Sequence, residues 1–356
     1  MSDCKSVSII IPCRNEERFI AKCLDSIIAN EHPKDRLEML VVDGMSEDGT
    51  RTIVDGYARR YGFIRLLDNP KKHFTGAANI GVNNANGDVV MIMGAHASYE
   101  RNYISSCVKY LRDYNADNVG GVLIATALKN TIMSKAVALA LCHPFGAGNA
   151  HYRIGSKEPR WVDTVFGGCY KKEVFERIGL FNEDLPRSAD MDFNIRLKQA
   201  GGKILLVPEI VAYYYPKPSL GGFLVHTVDD GFWAVCPLKY GSRIYYWRHL
   251  VPLVFVSSLI GSGALAGFCS FFSWSFLVIS GAYALANIGS SIHIAMKEKS
   301  FKYVLAVPLA FGARHIAYGL GSLYGLVKVL TAKQFWESIF SRRERSCVAS
   351  RNAKGR

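Results

Sequence analysis

VSIIIPCRNEERFIAKCLDSII, Val7–Ile28, opens on a β-branched apolar run closed by Pro12 and passes into residues with a different period. The run is that of a buried parallel strand, apolar on both faces. Phe19, Ile20, Cys23, Leu24, Ile27 and Ile28 then recur at helical spacing, with Asn15, Glu16 and Glu17 near the start. The same alternation continues. Leu37–Val42 reads as a strand with Asp43 at its end, a helix follows from about Asp48 to Tyr61, and Ile64–Leu67 is a third strand. Gly76–Asn84 is a helix and Asp88–Met93 a fourth strand. Strands alternating with helices over short turns predict an α/β protein with an open, mixed, mainly parallel sheet and helices on both faces. Ligands of such sheets sit outside the carboxyl ends of the strands, which lines up Pro12–Glu16, Asp43–Ser46 and Gly94–Ser98 on one rim. No G-x-G-x-x-G follows the first strand and no G-x-x-x-x-G-K-[ST] occurs, against a dinucleotide oxidoreductase and a P-loop enzyme.

Further along, VFGGCYKKEVFERIGLFNEDLPRSADMDFNIRLKQAGGKI, Val165–Ile204, sets two glycines ahead of a carboxylate cluster and a helix. Gly167 and Gly168 permit φ > 0 or a close approach to a ligand. Phe175, Ile178, Leu180 and Phe181 are spaced to pack one short helix that Gly179 stops. Asp190 and Asp192 stand at the first turn of a second helix, through Ile195 and Leu197, ended by Gly201 and Gly202. Exposed amides and the helix dipole favour carboxylates there. A helix cap accounts for Asp190 by itself. A general base, taking a proton from a hydroxyl, is the other reading, since a carboxylate at a loop-to-helix junction is rigid and accessible. Asp192, two residues on, falls on another face and holds a different partner.

The 356 residues suffice for two or three structural units. With 43 Lys and Arg against 30 Asp and Glu, the net charge of +13 suits an anionic partner such as nucleotide phosphates or an acidic membrane face. No RNA-binding signature, zinc-finger spacing or basic-region helix points to nucleic acid. Nine scattered cysteines without a C-x-x-C pair read as reduced thiols on the cytosolic side. The N-terminus enters a strand within about a dozen residues, with no signal-peptide core.

From Leu250 the composition changes. Leu250–Ile288 carries no charged residue and is long enough for two closely connected membrane helices at about 20 residues each. Tyr303–Val327 is a third apolar stretch, with Arg314 and His315 near its middle. Ionisable groups at that depth need partners or water. Ahead of these, residues 221–249 interleave Phe223, Phe232, Trp233, Tyr240, Tyr245, Tyr246 and Trp247 with Lys239, Arg243 and Arg248. That is the make-up of an amphipathic segment at a headgroup boundary, or of ordinary domain packing. The divisions expected are therefore 1–220, 221–249, 250–330 and a basic tail, 331–356, facing a membrane surface.

SIIIPCRNEERFIAKCLDSI, VVDGMSEDGT, FTGAANIGVNNANGDVVMIMGAH and FGGCYKKEVFERIGLFNEDLPRSADMDFNIRL, in that order, resemble glycosyltransferase family 2. With the membrane tail, the chain is similar to polysaccharide glycosyltransferases of the succinoglycan-biosynthesis type. The resemblance implies a GT-A fold and inverting transfer of a sugar from a nucleotide-diphosphate donor to a lipid-linked or glycan acceptor. It puts Pro12, Arg14 and Glu16 in the nucleoside pocket, Asp43 on the base, and Gly76 and Asn79 on the nucleotide side. Asp43 with Gly44 also reads as a simple turn. The family's D-x-D, which ligates Mg²⁺ or Mn²⁺, is here Gly94-Ala95-His96. Imidazole suits Mn²⁺ better than Mg²⁺. Three readings stay open: His96 with diphosphate and water holds a divalent metal, Lys and Arg neutralise the donor instead, or His96 only packs.

In the family's acidic cluster Ala189 replaces one acid, Asp190 matches the base and Asp192 stands where a glutamate does. Gly167, Gly168, Arg187, Arg243 and Arg248 are the expected substrate contacts. No Q-x-x-R-W follows, which favours single addition over processive synthesis. Two alternatives remain, a polyprenyl-phosphate sugar synthase and a catalytically degenerate scaffold subunit of a membrane glycan-export complex. With a cytoplasmic catalytic domain and three spans, the basic tail from Lys328 falls outside, against the positive-inside tendency. A re-entrant third segment would remove that conflict.

Overall fold

A computed structural model describes residues 5–185, 187–240 and 247–333. Two compact units divide the chain, one holding residues to Leu128 and Leu141–Pro216, the other Lys129–Ala140 and the chain from Lys217. The second unit thus takes residues 129–140 from within the first as well as the chain from Lys217.

The first unit is built on one sheet. Its strands are β1 (Val7–Cys13), β2 (Leu37–Asp43), β3 (Ile64–Asp68), β4 (Val89–Ile92), β5 (Ala97–Tyr99), β6 (Asn118–Ala125), β7 (Arg160–Trp161), β8 (Phe166–Lys171) and β9 (Ile204–Tyr214). They lie in the order β3-β2-β1-β4-β8-β6-β9-β5, with β7 also on β9. β3, β2, β1 and β4 are parallel, as the alternating pattern predicts. β8 then enters antiparallel between β4 and β6, making the sheet mixed. β6 and β9 run parallel with a register shift at Gly120–Val122. A Cβ on Gly121 would stand 1.8 Å from the Ile210 carbonyl oxygen, so only glycine lets the strands close there.

Side-chain alternation along these strands feeds two cores. Ile9, Ile11, Met39, Val41 and Met91 face the helices Ile20–Ile28, Thr50–Arg60 and Tyr103–Asp113, meeting Ile20, Leu24, Val54 and Ile104. Ile10, Leu40, Val42 and Val90 face the other way, against Ala77, Val82, Phe175, Phe193 and Leu197. Burial on both faces explains why β1 and β2 carry almost no polar residue.

In the second unit, Trp247–Leu265, Ser270–Lys297 and Tyr303–Leu330 are long and apolar enough to cross a membrane. Tyr303–Leu330 is one unbroken helix of 28 residues rather than a broken re-entrant pair. Half of its most apolar window is buried, against 11% and 6% for the other two. What buries it is helix Leu220–Val235, in the stretch expected to lie at a headgroup boundary. Glycines set the contact: a Cβ on Gly231 would meet the Tyr318 carbonyl oxygen at 2.0 Å, and one on Gly321 the Val228 carbonyl oxygen at 2.1 Å. Backbones this close are the mark of small-residue helix packing. Arg314 Nη1 lies 3.0 Å from Asp230 Oδ2, so the mid-helix charge is paired. The His315 ring bonds with the Tyr283 hydroxyl at 3.1 Å.

Candidate active site

The loops after β1 and β2 are tied into one rim. Asn15 N–H donates to Ser46 Oγ (2.9 Å), Glu47 N–H to Asn15 Oδ1 (2.9 Å), and Glu16 N–H to Thr50 Oγ1 (2.8 Å). Asn15 and Met45 take left-handed backbone conformations, φ 55° and 57°, to make these turns.

Asp43 is fully buried beneath the rim. Its carboxylate accepts from the Ser46 hydroxyl, from Ser46 N–H at 2.9 Å and from Arg51 Nη1 at 2.8 Å. Burial pushes its pKa up, but the Ser46 and Arg51 hydrogen bonds outweigh this and hold it below the ordinary value. Both oxygens of Asp43, the expected base-holding acceptor, bond with Ser46 and Arg51 of the following loop and helix.

At the neighbouring strand end, His96 Nδ1 lies 3.2 Å from Glu16 Oε1, and its side chain is 43% exposed. Its ring meets Tyr214 edge-on at 5.4 Å. The predicted nucleoside-side and metal-side residues therefore meet. Pro12 is half-buried on β1, and Arg14 is exposed, its stem lying over Gly44. Gly94 N–H donates to the Tyr99 hydroxyl (2.7 Å), which donates back to Gly94 O (3.2 Å). A Cβ on Gly94 would meet nothing nearer than Phe166 Cζ at 3.5 Å, so packing does not impose a glycine there.

A divalent ion finds an incomplete set of ligands. His96 and Glu16 are hydrogen-bonded to each other, and no group of three or more His, Cys, Asp or Glu residues gathers to hold a metal among the described residues. An Mg²⁺ ion takes about six oxygen ligands. These side chains do not by themselves fit a resident metal.

Asp190 sits exposed in the first turn of helix Ala189–Gln199. Burial, then the Asp190 charge, push the Tyr170 hydroxyl up. The Phe166 ring, at the other end of β8, borders Gly94. Asp192 is buried and faces elsewhere, 3.0 Å from Arg196 Nε. Arg196 also donates to the carbonyls of Ile178 (2.7 Å) and Leu180 (2.8 Å). Asn194 completes the anchorage, with Thr164 at 3.0 Å and Asn118 at 3.1 Å. Asp192 and Arg196 thus anchor the helix that carries Asp190.

Several expected contacts are committed to the fold. The Asn79 amide clamps Phe181, donating to its carbonyl and accepting from its N–H, both at 2.9 Å. Gly76 N–H donates to the capping His73. Gly167 (φ 59°) and Gly168 make room for the Tyr103 hydroxyl and the Tyr170 ring, an internal close approach rather than an open face. Arg187 is half-buried just before the catalytic-side helix, Arg248 belongs to the second unit, and Arg243 lies outside the described residues. Sequence reasoning missed Arg153, in the short helix His151–Ile154, whose guanidinium packs on Tyr152 and Tyr214. Its only sequence signal is its place between Gly148 and Gly155, both with positive φ.

A mixed sheet with a parallel half, a cross-strand and its open rim at the strand ends defines a nucleotide-sugar-binding fold of the GT-A type. The solved mannosyltransferase PcManGT of Pyrobaculum calidifontis, in complex with GDP-Man and Mn²⁺, shares it, with a TM-score of 0.57 at 20% identity over 90% of this chain and 87% of that one. Residues 8–178 match the glycosyl transferase family 2 model, which makes the sheet domain a domain of that family. It is 28% identical, over 90% of its length and 97% of the relative's, to the dolichyl N-acetyl-alpha-D-glucosaminyl phosphate 3-beta-D-2,3-diacetamido-2,3-dideoxy-beta-D-glucuronosyltransferase of Methanococcus voltae. It is 25% identical, over 88% and 92%, to the succinoglycan biosynthesis protein ExoA of Rhizobium meliloti (strain 1021). The chain is a glycosyltransferase.

Proposed function

We propose that the protein is a membrane-anchored, inverting enzyme that adds one sugar from a nucleotide-diphosphate donor to a hydroxyl of a lipid-linked glycan. The observation that carries this is Asp190, exposed in the first turn of a helix that Asp192 and Asn194 anchor to the scaffold. Asp190 takes the proton of the acceptor hydroxyl as its oxygen attacks the anomeric carbon. The new C–O bond forms as the bond to the donor phosphate breaks, and the electron pair leaves with the nucleoside diphosphate. Asp192 and Arg196 keep the base in place.

A lipid-linked acceptor is supported by the Methanococcus voltae relative, whose name specifies a dolichyl-linked one and which matches across the apolar helices. The three apolar helices support a multi-pass anchor, with the sheet domain on the cytoplasmic side where nucleotide sugars are made. The polyprenyl-phosphate synthase would bind the lipid phosphate through Arg243, Arg248 or Arg314, and of these Arg314 is paired with Asp230.

The test is a donor screen with purified protein, labelled UDP- and GDP-sugars, and either polyprenyl-diphosphate-linked N-acetylglucosamine or bare polyprenyl phosphate. Transfer to the glycan lipid with inverted anomeric configuration, lost in Asp190→Asn, is the expected result. An acid-labile product on the bare phosphate would reject it for the synthase. Absence of any transfer, with retained partner binding, would reject it for a scaffold.

A further inference from the structure

The rim of the donor site carries the exposed Arg14 over Gly44 but is poor in positive charge at its β4 end. Its side chains at the β4 end are a glycine, an alanine, an imidazole and the Glu16 carboxylate that the imidazole contacts. A nucleoside diphosphate leaves with more negative charge than it binds with, so a cation or a set of donors has to meet it.

We infer that Arg153 is that cation, a donor-diphosphate residue reached across the Tyr214 ring. This rests on the glycosyltransferase reading of the site. Arg153 Cζ lies 5.8 Å from the Tyr214 centroid and 5.3 Å from that of Tyr152. His96 lies 5.4 Å from the same Tyr214 ring, so guanidinium and imidazole share one aromatic neighbour. Tyr214 ends β9 and pairs with Ala97, the residue after His96, which fixes this neighbourhood by sheet register.

The second observation is a missing partner. Arg153 Nη1 is buried with no hydrogen bond, and among the described residues no other arginine or lysine has such an atom. A buried guanidinium N–H left unpaired is costly, and native structures rarely keep one without a use. Arginine stays charged in proteins and matches phosphate oxygens with two parallel N–H bonds. The Tyr152 and Tyr214 rings flank the guanidinium and Tyr152 also bonds to it, which leaves Nη1 as the donor without a partner. Arg153 as a whole is half-buried rather than sealed.

The experiment is calorimetric binding to the purified full-length protein in detergent, using UDP, GDP, CDP, ADP and dTDP and the matching monophosphates, with EDTA and with Mn²⁺. Wild type is expected to bind at least one diphosphate, with EDTA changing its affinity by no more than about threefold. Arg153→Met should weaken that diphosphate by about tenfold or more while the monophosphate changes far less, and Arg153→Lys should restore part of the loss. Equal weakening of mono- and diphosphate with a lowered melting temperature would make Arg153 merely structural and overturn the inference. So would unchanged diphosphate affinity, or binding abolished by EDTA in wild type. If Arg153→Met does not fold, Arg153→Lys decides by the same ratio. A wild type that binds none of the five diphosphates overturns the donor-site reading itself, a result distinct from any effect of the variants.

Discussion

Arg196→Met tests how the catalytic-side helix is held. The change removes the 3.0 Å pair with Asp192 and two hydrogen bonds, to Ile178 O and Leu180 O, and keeps an apolar stem over the Phe193 ring. Stripping one partner from a buried ion pair costs about 3–5 kcal/mol. The Arg196 side chain is 29% exposed and that of Asp192 11%, so water recovers part of this and about 2–3 kcal/mol is expected. At about 1.4 kcal/mol per tenfold, amide exchange in peptides across 173–199 should quicken about 30- to 150-fold. Peptides from β1, β2 and β4 should not change. Because Asp190 rides on the same helix, kcat should fall at least about tenfold with nucleotide affinity held, since small displacements of a catalytic group are costly. Hydrogen-exchange mass spectrometry on the full chain gives the first readout and single-turnover transfer the second. Exchange within about threefold of wild type over 173–199 would refute the clamp.

Asp190→Asn should lower kcat by about 10²- to 10⁴-fold, with nucleoside diphosphate affinity within about twofold, read by transfer and calorimetry. Asp43 is held below its ordinary pKa by Ser46 and Arg51 against burial, so its stabilisation is complete above about pH 4 and is lost as pH falls through the lower folded value. Acid unfolding followed by circular dichroism should be less steep in Asp43→Asn, which should also cost about 1–3 kcal/mol at neutral pH. Gly121→Ala drives a Cβ to 1.8 Å from a backbone oxygen and should cost at least about 2 kcal/mol. Gly56→Ala, with nothing within 4 Å in the middle of helix Thr50–Arg60, should instead stabilise by about 0.5–1 kcal/mol, both checked by thermal melts.

The parallel half of the sheet was legible because each strand there is a short continuous apolar run followed by a helical period. Val7–Ile11, Leu37–Val42 and Ile64–Leu67 each grew by only one or two residues at their carboxyl ends in the fold. The cross-strand β8 was not legible as a strand. Its FGGCYK reads as a glycine turn, and what makes it extended is pairing with β4 and β6, far away in sequence. The same holds for side chains. Asp190 and Asp192 were placed at a helix start from local pattern alone, while the Asn79 clamp on Phe181 and the Asp43 contacts depend on folded neighbours. Arg153 stands in a stretch with neither period, marked only by the flanking Gly148 and Gly155.

Asp230 and Arg314 sit on helices made 84 residues apart, yet each neutralises the other where the two backbones cross at Gly231 and Gly321. Neither helix can be surrendered to hydrocarbon alone without stranding a charge. A chain truncated before Tyr303 would lack Arg314 and leave Asp230 facing the His226 imidazole, 3.8 Å away on its own helix.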